Sequence, residues 1–86
     1  MYQITIKKKA EKELDRLPKR MLPKIVSAID ELEINPQPKG SKKLQASTEN
    51  AYRIRIGDYR VIYVIEEEIK IVDIRKVGHR KDVYRM

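Results

Sequence analysis

The sequence predicts an α+β domain in which a hairpin of two helices is packed on one face of a small, mainly antiparallel twisted sheet. Three observations carry that expectation. Residues 51–65, AYRIRIGDYRVIYVI, are two alternating runs joined by Gly57-Asp58, the pattern of a β-hairpin whose glycine supplies the positive φ of a tight turn. Upstream, apolar residues recur at helical spacing in two segments separated by Pro18. Two helices so close in sequence are expected to lie antiparallel, with their apolar stripes on a common sheet. Finally, 86 residues leave room for only one core, so residues 1–86 read as a single domain.

In chain order, Tyr2, Ile4 and Ile6 alternate with Gln3, Thr5 and Lys7, which gives a short half-buried strand. Ala10, Leu14 and Leu17 then fall at helical spacing over residues 8–16, and Pro18 ends that helix. A second helix is expected over residues 19–34, with Leu22, Ile25, Val26, Ile29 and Leu32 as its apolar stripe. Pro23 falls in its first turn, where a missing N–H does least harm. Residues 35–50 are rich in Pro, Gly and small polar side chains and read as a loop. Leu44 is its expected anchor in the core, and Lys39, Lys42 and Lys43 make it a basic flap. Beyond the hairpin, Glu66-Glu67-Glu68 reads as a turn and residues 69–77 as a last strand, broken by Gly78. Ordinary pairing across that turn sets Val72 beside Tyr63, Ile74 beside Val61 and Arg75 beside Arg60, with Asp73 as a salt-bridge partner.

Within the central hairpin, a tight turn sets Ile56 opposite Tyr59, Arg55 opposite Arg60, Ile54 opposite Val61, Arg53 opposite Ile62 and Tyr52 opposite Tyr63. One face is then apolar and aromatic, suited to a core. The other gathers Arg53, Arg55 and Arg60. Like charges directly across a strand pair cost roughly a few tenths to 1 kcal/mol, so the cluster asks for a compensating anion. The planar guanidinium fork matches phosphate oxygens in two-pronged geometry.

Composition agrees with an anionic partner. Twenty Lys and Arg against thirteen Asp and Glu give a net charge of +7, which favours nucleic acid or acidic protein. The absence of cysteine rules out a disulfide framework and cysteine-based zinc sites, and a single histidine makes a histidine metal site a poor expectation. No cofactor is expected. The start, MYQITIKKK, alternates apolar and polar residues, unlike a signal peptide or a transmembrane segment. A cytoplasmic protein without membrane contact is the expectation.

The tail HRKDVYRM leaves the sheet after Gly78, which brings His79, Arg80 and Tyr84 within reach of the arginine patch. Histidine exchanges protons near neutral pH, and the cationic neighbours Arg80 and Lys81 favour its uncharged, proton-accepting form. Tyr84 either stacks on a base or pins the C-terminus. Lys42, Lys43 and Arg75 join Arg53 and Arg55 as candidates for contacts to a nucleic-acid backbone. Phosphate-gripping arginines, a base and a stacking ring are the equipment for cleaving RNA through its own 2′-hydroxyl. That reaction needs a base for the hydroxyl, positive charge on the phosphorane and an acid for the departing 5′ oxygen. It needs no metal, leaves a 2′,3′-cyclic phosphate and a 5′-hydroxyl, and spares DNA, which lacks the nucleophile.

The segments YRIRIGDYRVIY and IRKVGHRKDVY, preceded by a strand and two helices, resemble the RelE branch of the RelE/ParE toxin superfamily over essentially the whole chain. The resemblance implies a β-α-α-β-β-β fold and a toxin of a type II toxin–antitoxin system, a ribosome-dependent mRNA endoribonuclease that enters the ribosomal A site and cuts mRNA during translation. The implied partners are mRNA, the ribosome with its RNA, and a cognate antitoxin that wraps and neutralises the toxin. Arg60 and Arg80 match family arginines that hold phosphate or act as the acid, and Tyr84 matches a tyrosine that stacks on a base. Where RelE carries two lysines on the first hairpin strand, this chain has Arg53 and Arg55, and arginine hardly ever gives up its proton. His79, in the place of a RelE lysine, is the expected base.

Two other readings compete. The ParE branch shares the fold but inhibits DNA gyrase by binding, and it generally lacks the full set of Arg60, Arg80 and Tyr84, so direct action on DNA is not expected. A non-catalytic RNA-binding module predicts salt-sensitive binding without cleavage.

Overall fold

The structure, a computed structural model, describes residues 1–45 and 47–83. In chain order its elements are β1 (Gln3–Ile6), α1 (Lys8–Asp15), α2 (Leu22–Glu31), β2 (Lys42–Lys43), β3 (Ala51–Ile56), β4 (Tyr59–Glu66), β5 (Ile71–His79) and α3 (Arg80–Val83). The strands form one sheet in the order β1-β5-β4-β3-β2. β1 runs parallel to β5, and every other neighbouring pair is antiparallel. The α+β architecture with a helix pair over one sheet face is therefore as the sequence predicts.

Both helices are shorter than their apolar spacing suggests, because the connection between them consumes residues. The Pro18 carbonyl accepts from the amides of Met21 and Leu22, at 2.9 and 3.2 Å. That turn reverses the chain and delays α2 to Leu22, with Pro23 still in its first turn. Ile25, Ile29 and Leu32, spaced by four and three, are the buried line of this helix, whereas Leu22 and Val26 flank it and stay exposed. Together with Ala10 of α1 they cover Ile54, Val61, Tyr63, Ile65, Val72, Ile74 and Val77 of the sheet. Tyr63 is wholly buried, and its hydroxyl donates to the Pro36 carbonyl at 2.7 Å, tying the long connection to the core.

Four expectations fail, each for a local reason. The 35–50 segment is not all loop, since Lys42 and Lys43 form an edge strand opposite Arg53 and Tyr52. Leu44 lies on the opposite sheet face from the helices, in a recess with Ala51, Ile62 and Val64, instead of in the core. The strand after the β4–β5 turn begins two residues later than predicted, at Ile71, with Lys70 at φ 54, so Tyr63 pairs with Ile74 and Ile65 with Val72. A bulge between Ile62 and Tyr63 adds one more position of shift. Arg60 is consequently opposite Gly78, not Arg75, and Gly78 continues the strand where a break was expected. No helix among the described residues is long and apolar enough to cross a membrane.

Candidate nucleic-acid interface

The turn of the β3–β4 hairpin organises the basic site. Gly57 has φ 61 and no other residue of the turn has positive φ, so the glycine occupies the first central position, as a type II′ turn requires. The five predicted cross-strand pairs all form, including Arg55 opposite Arg60. Arg53, Arg55 and Arg60 thus share the sheet face that the helices leave open.

Three successive carbonyls of this turn hold two arginines. Arg60 Nη1 donates to the Gly57 and Tyr59 oxygens, each at 3.1 Å, and the Arg80 amide donates to the Asp58 oxygen at 2.8 Å. Arg60 is only 7% exposed, and its Nε is buried without an acceptor. One end of the guanidinium is therefore fixed while Nε, half of the edge that grips oxyanions in pairs, is unsatisfied. A buried donor in that state costs roughly 1–3 kcal/mol. Arg80 opens α3 and is exposed. The turn thus brings Arg55, Arg60 and the backbone of Arg80 to one end of the sheet.

His79 does not join them. It pairs across the strands with Tyr59, whose ring it meets edge-on with centroids 5.5 Å apart. Both lie on the helix side, in a recess that Glu13, Arg16, Leu17 and Asp82 also line. The Lys81 amide donates to His79 Nδ1 at 3.2 Å, so the imidazole satisfies an amide at the start of α3 as a capping side chain does. The odd register shift explains its place, because a slip by an odd number of residues exchanges the faces of a strand.

Arg75 is likewise apart from Arg60. Its Nε donates to Asp73 at 2.6 Å, the partner the sequence predicts, and its two terminal nitrogens meet the Glu49 carboxylate at 3.0 and 3.1 Å. Burial alone lowers the Arg75 pKa, but these hydrogen bonds and charges outweigh it and raise it overall. Two carboxylates already occupy this guanidinium. Asp73 is held below the usual carboxylate range: burial pushes it up, while Thr5, Arg75 and Lys7 together push it further down.

Arg53 is 6% exposed and lines a cleft of about 550 Å³ together with Lys39, Lys42 and Arg55. Lys42 and Lys43 are exposed on the edge strand, so the register gives Lys42 the face of Arg53 and Lys43 the face of Tyr52. Sequence reasoning passed over Lys76, which is 8% exposed and opposite Ile62, on the open face two residues before the partner of Arg60. Burial pushes its ammonium below the usual lysine range, Lys9 adds to that shift and Glu13 opposes it. Its signal in the sequence was a lysine in mid-strand between Ile74 and Val77, hidden by the adjacent Arg75. Tyr84 lies outside the described residues. Among the described residues no group of His, Cys, Asp and Glu is placed to hold a metal ion.

Comparison with known proteins gives consistent matches along the chain. The family described as ParE toxin of type II toxin-antitoxin system, parDE, matches residues 4–84. A putative toxin RelE1 of Methanocaldococcus jannaschii is 38% identical over 98% of this chain and 96% of its own length. Toxin RelG of Mycobacterium tuberculosis is 34% identical over 98% of this chain and 97% of its own. Among solved structures, a chain of the archaeal RelE–RelB complex from Pyrococcus horikoshii superposes with a TM-score of 0.82 at 34% identity, covering 94% of this chain and 97% of that one.

Proposed function

Because this chain belongs to the RelE branch of the RelE/ParE toxin superfamily, as part of a type II toxin–antitoxin system, we propose that it is a ribosome-dependent mRNA endoribonuclease that inhibits translation in the cytoplasm. The observation that carries this reading is the pair of arginines fastened to one turn, Arg60 through its side chain and Arg80 through its amide. A phosphodiester laid over the turn lies beside Arg60, whose buried Nε it satisfies once the guanidinium turns outward, with Arg55 directly across the strand pair. The 2′-oxygen attacks phosphorus, the bond to the 5′ oxygen breaks, and a 2′,3′-cyclic phosphate and a 5′-hydroxyl result. Arg60 and Arg80 spread the charge of the phosphorane, the step at which preorganised donors count most. In this proposal Tyr84 stacks on the base beside the cut, and the exposed Lys43 contacts the RNA backbone.

The 2′-hydroxyl proton needs an acceptor. A neutral histidine accepts through its unprotonated nitrogen, and Nδ1 of His79 already accepts from Lys81, so His79 is assigned as the positioning residue of Arg80. Lys76 is assigned as the base: it lies on the open face two residues before the strand partner of Arg60, and burial holds its ammonium below the usual lysine range. The pH–rate profile separates them. Lys76→Arg keeps the charge but abolishes the titration and flattens the basic rise in rate, whereas His79→Ala lowers the rate with the profile unchanged. The reverse pattern returns the base to His79.

The partners proposed are mRNA, the ribosome and a cognate antitoxin, by analogy with the RelB of the P. horikoshii complex. Inducing the protein in cells and mapping mRNA 5′ ends tests the function: cuts are expected inside translated codons and to vanish in Arg80→Ala. Blocked DNA supercoiling with intact translation would replace this reading with gyrase inhibition.

A further inference from the structure

Helix α1 supplies a wall of the open sheet face that the hairpin turn does not reach. β1 pairs with β5 from Ile71 to Ile74; further along, α1 lies against β5, and the Glu13 carboxylate accepts from the Val77 amide at 3.0 Å. Ala10, wholly buried, fixes the rotation of the helix. Lys9 is one turn before Glu13 on the same helix face, and it enters a recess of about 350 Å³ that Lys76 also lines. Leu44, Ala51, Ile62 and Val64 make the rest of that lining largely apolar. We propose that Lys9 is a positioning residue for the cleavage: its ammonium, beside that of Lys76, makes the two amines release one proton as a pair, with Lys76 as the member left to accept the 2′-hydroxyl proton. The inference rests on the assignment of Lys76 as the base.

Two like charges in one poorly hydrated recess repel, and the repulsion ends when one of them loses its proton. An ammonium only donates hydrogen bonds, whereas a neutral amine also accepts them. Contact between the two groups is therefore a hydrogen bond only in the singly protonated pair. Burial decides which amine yields: Lys76 is 8% exposed and Lys9 lies open to solvent, and the charged form is disfavoured where water is scarcer. In keeping with this, burial and then Lys9 push the Lys76 ammonium below the usual lysine range, while Glu13 pulls the other way. The other charges near the recess are already engaged. Arg75 is bonded to Asp73 and Glu49, and Arg60, one same-face step away at about 7 Å, is directed into the turn carbonyls. Lys9 and Glu13 thus set the balance with opposite signs, and both belong to α1. The ribose of a nucleotide whose phosphate is at Arg60 falls within reach of the pair.

The test follows Lys76 itself, by nitrogen NMR titration of its Nζ in the free toxin, alongside the pH–rate profile on ribosomes programmed with mRNA. Lys9→Gln is expected to move the Lys76 titration up towards that of exposed lysines. The same variant should lower the rate at neutral pH about threefold or more, with the loss recovered at alkaline pH. Lys9→Arg keeps the cation and is expected to retain both wild-type readouts. Glu13→Gln keeps an oxygen for the Val77 amide but removes the negative charge, so both readouts should shift in the opposite direction, which damage to the packing of α1 would not produce. Lys9 is exposed, so its variants are expected to fold. A Lys76 titration unmoved by Lys9→Gln, or moved as far by Lys9→Arg, overturns the proposal. A titration that follows Lys9 while Lys76→Arg cleaves with the wild-type profile removes Lys76 as the base, and with it the part of Lys9 in cleavage, while the coupling of the two amines stands.

Discussion

Two buried side chains illustrate how single residues set the pH limits of this fold. The Tyr63 pKa is pushed up to about 12 by burial, with a hydrogen bond from Ser41 opposing the shift and Tyr52 adding to it. In the unfolded chain it titrates near its ordinary value of about 10. The folded state therefore keeps a proton that the unfolded state loses, so this stabilisation is full below about pH 10 and disappears as pH rises towards the folded value. Tyr63→Phe should cost about 1–3 kcal/mol at neutral pH by leaving the Pro36 carbonyl unpaired. It should also lose less stability than wild type between about pH 8 and about pH 11, which urea titrations at the two pH values check. Asp73 has the opposite sign. Its folded pKa lies below the unfolded one, so its stabilisation is present above the unfolded value and is lost as pH falls through the folded one. Asp73→Asn should destabilise by about 2–4 kcal/mol, because Lys7 and Arg75 lose a shared carboxylate, and should flatten the acid limb of the stability curve.

At the scale of elements, the hairpin turn couples stability to the site. Gly57 holds φ 61, and a Cβ there would meet only the Met21 methyl at 3.9 Å, so the cost of a side chain is conformational, not steric. Gly57→Ala should destabilise by about 1–2 kcal/mol and Gly57→Asn by less, since asparagine tolerates positive φ. Both should slow the proposed RNA cleavage beyond what lost stability explains, because the carbonyls that hold Arg60 and Arg80 belong to this turn. Equal melting temperatures for the two variants would count against the conformational account. The same turn explains what was legible in the sequence. Gly-Asp between two alternating runs permits one register, so all five hairpin pairs and the Arg55–Arg60 contact could be read directly. The β4–β5 connection is acidic and permissive, its left-handed residue is a lysine, and a bulge follows, so no residue pattern there pins the register. His79 and Arg75 were misplaced together for this one reason. The edge strand β2 was unreadable because two lysines have no alternation to detect.

For the whole molecule, the question is whether the net charge of +7 or its placement drives association with a polyanion. The molecule spans 34 × 26 × 26 Å, and the eight residues of β4 separate the Gly57 turn from the Glu67–Lys70 turn by about 26 Å. Charges decay over a Debye length of about 10 Å at 0.1 M salt but about 30 Å at 0.01 M. Lys70→Asn removes a charge at the far end while keeping a residue suited to the positive φ found there. Arg55→Gln removes the same charge beside Arg60. Near physiological salt, Arg55→Gln should weaken the proposed ribosome binding roughly tenfold while Lys70→Asn leaves it within about twofold. At about 0.01 M both should slow association, since the field of the whole protein then reaches the partner. Equal losses from the two substitutions at the higher salt would mean that the ribosome responds to total charge, and the ordered arginines of the hairpin would have no privileged part in recognition.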